Sequence, residues 1–142
     1  METRPRRMQC GPETPLPETA KPAVVMWDLN ADDAGRARQF YADVFGWEVS
    51  APGEPPVELA TVGSGEDGIS GVIGQAPRPG DADEAIRHRG LIVYIKVHDV
   101  AAALAAVERH GGRAIWGPQE VASGFWLAQF EDPDGTRLGL TT

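Results

Sequence analysis

The chain of 142 residues, 42% apolar and 24% charged, has the make-up of one globular domain large enough for a proper core. Its formal net charge of −8 excludes a nucleic-acid partner, whose phosphates demand a basic surface. A single cysteine, Cys10, excludes an intramolecular disulfide framework, and no apolar run reaches the length of a membrane span. The expected compartment is the reducing cytoplasm, with no membrane partner.

Residues 1–22 hold five prolines, several charges and little apolar content, which predicts a flexible tail. Arg4, Arg6 and Arg7 are followed by no apolar stretch, so this is not a secretory signal. The single domain is expected over 23–142. Strand one is predicted at Val24–Leu29, and Asp33 is placed to cap a helix. Ala37, Phe40, Tyr41, Val44 and Phe45 recur at helical spacing as one apolar stripe, and Gly46 stops the helix. Strands two, three and four are predicted at 47–49, 57–62 and 69–73, separated by a proline-rich loop at 51–56 and a glycine turn at 63–68. Residues 76–90, rich in charge, proline and glycine, read as a linker.

The second half repeats the order. Strand five is predicted at Leu91–Val97, a helix capped by Asp99 follows, and Gly111-Gly112 stops it. Strands are predicted at 113–116, 124–130 and 136–140, the last two joined by the turn Asp132-Pro133-Asp134-Gly135. Asp33 and Asp99 lie 66 residues apart, as do Gly46 and Gly112. This spacing marks an internal duplication of one unit. The expected fold is α+β: two βαβββ modules (23–75 and 91–142) forming a cupped, mixed eight-stranded sheet, with one helix layer per module and a cavity on the opposite face. Sheet edges need covering, so a homodimer is expected.

Asp33 with Phe40-Tyr41 and Val44-Phe45-Gly46-Trp47, then Val97-x-Asp99-Val100 through Gly111-Gly112 and Phe130-Glu131-Asp132-Pro133-Asp134-Gly135, make the chain resemble the vicinal oxygen chelate superfamily. That superfamily includes glyoxalase I, bleomycin-resistance proteins and extradiol dioxygenases. The resemblance spans 24–142 and implies, in catalytic members, a metal held by His and Glu from strands one, four, five and eight. The corresponding positions are Met26, one residue within 69–74, Ile92 and Gly139. None of these offers a carboxylate or imidazole, and Met26 is at best a soft ligand. No metal and no cofactor are therefore expected. His88 in the linker, His98 before a helix and His110 at a helix end read as exposed surface.

Strand alternation turns Met26, Asp28 and Asn30 towards the cavity and Trp27 and Leu29 towards the helix layer, to pack with Phe40 and Val44. The same rule places Ile92, Tyr94 and Lys96, then Phe125, Leu127 and Gln129, then Arg137, Gly139 and Thr141 on the cavity side. The expected floor is Met26, Ile92 and Gly139, apolar and roomy. Above it, Asp28 is a candidate general base, Tyr94 and Lys96 candidate acids, and Asn30, Phe125, Gln129 and Arg137 candidate ligand contacts. Trp116, near a strand end, could stack on a planar ligand. Three functions fit: metal-free binding of a hydrophobic or aromatic small molecule such as an antibiotic, metal-free acid–base catalysis (isomerase, epimerase or cyclase) on Asp28, or association through a vestigial cavity. An open aromatic groove with a salt-bridged Asp28 would favour the binder, a large closed cavity with an isolated Asp28 the enzyme, and a collapsed cavity the third.

Overall fold

The computed structural model describes residues 21–53, 59–82, 84 and 87–142. Residues 1–20 of the predicted tail and the start of the predicted third strand lie outside them. The elements are β1 (Ala23–Ala31), α1 (Ala34–Phe45), β2 (Glu48–Val49), β3 (Ala60–Gly63), β4 (Gly71–Gln75), β5 (Gly90–Lys96), α2 (Val100–Arg109), β6 (Arg113–Ala122), β7 (Phe125–Glu131) and β8 (Arg137–Thr141). They form one mixed sheet of eight strands in the order β2-β3-β4-β1-β5-β8-β7-β6. β1 pairs in parallel with β4 and β5 with β8, while the seam between the halves is the antiparallel pair β1–β5. Met26 lies opposite Tyr94 and Asp28 opposite Ile92 across that seam. A twofold relation with a 66-residue offset turns one of these pairings into the other, because 26 + 66 is 92 and 28 + 66 is 94.

Local chemistry sets both helix starts alike. The Asp33 carboxylate accepts from Arg36 N–H at 3.0 Å, and the Asp99 carboxylate accepts from Ala102 N–H at 3.0 Å. Gly46 ends α1 with φ 67°, a left-handed conformation that costs glycine nothing, and its N–H donates to Ala42 O at 2.9 Å. The β7–β8 hairpin turns on Asp132, whose side chain accepts from the N–H groups of Asp134 and Thr136, both at 2.9 Å. Glycines are also needed where rings cross the sheet. A Cβ at Gly71 would fall inside the Trp27 ring, and one at Gly139 inside the Tyr94 ring.

The two helices are held differently. Val100 and Leu104 of α2 are buried in a cluster with Val97, Ala128, Phe130 and Leu140. α1 buries only Ala34, and Phe40, Val44 and Phe45 remain 54%, 55% and 57% exposed. The expected packing of Trp27 against Phe40 and Val44 is therefore corrected. Trp27 lies over Gly71, donates Nε1–H to Ile69 O at 2.7 Å and meets Trp47 at 5.8 Å between ring centroids. Tyr41 and Phe45 pack instead on Trp47, at 5.7 and 5.3 Å between ring centroids. Position 38, which corresponds to the buried Leu104 by the 66-residue offset, carries the half-buried Arg38, a residue type that keeps its charged end towards water. β6 also runs further than the predicted 113–116, so Trp116 sits within the strand opposite Gln129 and not at its end.

Candidate functional site

Asp28 lies mid-strand in β1 and is 8% exposed. Burial pushes its carboxyl up to about 7, and a hydrogen bond from Tyr94 pulls the other way. Tyr94, 2% exposed, donates its hydroxyl to Asp28 and accepts from Gln129 Nε2 at 2.9 Å. Burial, then the Asp28 charge, push the Tyr94 phenol well above its ordinary range, so it stays a donor. Asp28, Tyr94 and Gln129 thus form one hydrogen-bonded row across β1, β5 and β7 on the face opposite α2. Met26 and Ile92 pack around it with Val25 and Leu127. Two acceptors in this row are buried and have no protein partner: Asp28 Oδ1 and Gln129 Oε1.

His88 completes the row, and its expected exposure is corrected. It is 6% exposed, because the segment before β5 folds back over the end of β1. Its Nε2 lies 3.1 Å from Asp28 O and 3.7 Å from Asp28 Oδ1. A carbonyl oxygen can only accept, so Nε2 carries the hydrogen. Nδ1 then accepts from Asn30 Nδ2 at 3.3 Å, and the same Asn30 amide donates to His88 O at 3.2 Å. Burial holds the imidazole below its usual range, and Arg137 and Arg87 add to this against the raising effect of the Asp28 carbonyl. A 3.7 Å separation is too long for a hydrogen bond, so we read the pair as a neutral imidazole beside a half-ionised carboxyl and not as an ion pair.

His88 also opens outwards. It lines a cleft of about 380 Å³ together with Arg87, Arg89, Arg137, Leu91 and Ile92. The cleft is solvent-open and basic in a chain of net charge −8. It is not the roomy apolar space expected over Met26, Ile92 and Gly139. Tyr94 fills that place, its ring lying against Gly139, and the open volume moves to the start of β5 and β8. Of the residues singled out in the sequence, the fold brings together Met26, Asp28, Asn30, Ile92, Tyr94, Gln129 and Gly139, with Arg137 at the cleft. Lys96 sits at the other end of β5, opposite Ala23, and Phe125 at the far end of β7, opposite Ala122; neither lines the cleft. Arg87, His88 and Arg89 were hidden in the predicted linker. Their signal was three consecutive basic or titratable side chains just before a central strand of an acidic chain.

The chain belongs to the family described as Glyoxalase/Bleomycin resistance protein/Dioxygenase superfamily, which matches residues 22–140. A glyoxylase-like domain-containing protein of Didymella fabae is 31% identical over 93 residues, covering 62% of this chain and 67% of that protein. The fold is shared with a hypothetical protein of Bacillus halodurans C-125, at TM-score 0.64 and 15% identity over 86% of this chain and 94% of that one. It is shared too with a Streptomyces coelicolor methylmalonyl-CoA epimerase variant bound to 2-nitronate-propionyl-CoA, at TM-score 0.62 and 19% identity over 84% and 93%.

The metal implied by catalytic members of the family does not fit the residues present. Met26 and Ile92 are buried apolar side chains, and Gly139 lies under a tyrosine ring. Among the described residues no group of three His, Cys, Asp or Glu side chains converges.

Proposed function

We propose that this protein is a metal-independent acid–base enzyme, of isomerase or epimerase type, acting on a small molecule with an acidic C–H beside a carbonyl group. The observation behind this is one contact: the partnerless, buried Asp28 Oδ1 lies 3.7 Å from an imidazole that itself lines the cleft. A carboxyl held at about 7 is matched to proton abstraction and return at neutral pH. The ligand's C–H bond breaks and its electron pair moves onto the carbonyl oxygen. His88 Nδ1 gives up its hydrogen bond from Asn30 and takes the ligand's proton while Nε2 passes its own hydrogen to Asp28 Oδ1, and reversal returns a proton to carbon. Catalytic hydrogen bonds are commonly long without ligand, and closing this one requires a shift of roughly an ångström. Tyr94, fixed by Gln129, steadies the carboxylate from its other side.

Deuterium exchange from D2O into 2-oxobutyrate and butanone, followed by NMR, tests the reading. The wild-type protein should catalyse exchange with a rate that rises through pH 7 as Asp28 ionises. Asp28→Asn should lower that rate by about a hundredfold or more and remove the bend near pH 7. A second reading, binding without turnover, draws on the openness of the cleft, the feature expected of a binder, and on the seclusion of Asp28 beneath it. Saturable binding with no exchange at any pH would favour it.

A further inference from the structure

We propose that the cleft selects a small organic carboxylate and anchors it on Arg137. This rests on the reading of the cleft as the ligand site and names the class of ligand it takes. Three guanidinium groups face the cleft, and two are already committed to the protein. Arg87 donates to Gln75 O and pairs with Asp81 at 3.5 Å; Arg89 donates to Pro77 O and pairs with Asp32. Arg137 makes no side-chain hydrogen bond or ion pair among the described residues, yet stands close enough to His88 and Tyr94 to bear on the ionisation of both.

The number of free cations decides between anions. One planar guanidinium matches one carboxylate, two parallel N–H donors to two oxygens. A phosphate dianion would need a second free cation or a ring of backbone N–H groups. The rest of the wall fits the other end of such a ligand. Leu91, 63% exposed, and Ile92 offer apolar surface beside Arg137, and about 380 Å³ is at the small end of ligand cavities. The ligand is thus a short apolar chain ending in a carboxylate, lying against His88.

Calorimetric titration with butyrate, butyramide and inorganic phosphate tests this on the full chain. Butyrate should bind saturably, its neutral isostere butyramide should not compete, and phosphate should bind more weakly. Arg137→Gln should raise the butyrate Kd tenfold or more, and Arg137→Lys, which keeps charge but loses the fork, should fall between. Equal binding of butyrate and butyramide to the wild-type protein would overturn the proposal, and that comparison stands even if the Arg137 variants misfold. So would an unchanged Kd in a folded Arg137→Gln, or tighter binding of phosphate. The two readings fail separately. Retained butyrate binding without deuterium exchange counts against the enzyme alone. Exchange into neutral butanone with no butyrate binding counts against the carboxylate alone.

Discussion

Asp28 carries a stability cost that a chemically mute residue would not. Its carboxyl titrates near 4 in an unfolded chain and at about 7 in the folded one. Between those values the native state binds the extra proton, so folding stability falls as pH rises through the window. Three units correspond to at most roughly 4 kcal/mol. His88 acts with the opposite sign: its depressed value removes stability as pH falls below about 6.5. Asp28→Asn keeps the shape and the hydrogen bond from Tyr94 but never ionises. Its melting temperature should exceed that of the wild type at pH 8, and the difference should shrink or vanish at pH 5. A constant offset across that range would show that the carboxyl is not held near 7.

The two helices began as equivalents in the sequence and end unequal. The caps repeat at 66 residues and both helices form where predicted, because these signals are local: an aspartate meeting free N–H groups, and a left-handed glycine, which is the C-cap Gly46 in α1 but Gly111, one residue past the C-cap His110, in α2. Burial of the stripe was not legible. Spacing tells which face of a helix is apolar, but docking depends on the side chain at the centre of contact. There Leu104 reaches the core and Arg38 does not. Amides of α1 should accordingly exchange with deuterium well before those of α2, since local opening follows the number of buried apolar partners. Arg38→Leu should slow α1 exchange towards that of α2. Equal protection in the unaltered protein would refute the difference in docking.

At the scale of the molecule, the sequence placed the row Asp28, Tyr94 and Gln129 on one face because strand alternation needs only a correct period. It hid His88 because the segment is polar by composition, and its burial comes from a fold-back over β1 that no local pattern encodes. The outer edge of β6 and the apolar side of α1 both remain without cover among the described residues. A homodimer is expected to cover such surfaces. Sedimentation equilibrium at micromolar concentration should give twice the 15.2 kDa chain mass, and the monomer mass would refute it.

The seam between β1 and β5 also explains why the halves could not stay alike. Asp28 and Tyr94 occupy the same place in their respective modules and hydrogen-bond to each other across the axis. In a chain of two identical halves that spot would hold two aspartates or two tyrosines. Two secluded carboxylates would repel and be forced to share a proton. Two phenols would offer no base. The broken symmetry at this one couple, acid facing donor, gives the molecule a polarity that its architecture alone lacks: one half holds the carboxyl and the other the hydroxyl that donates to it.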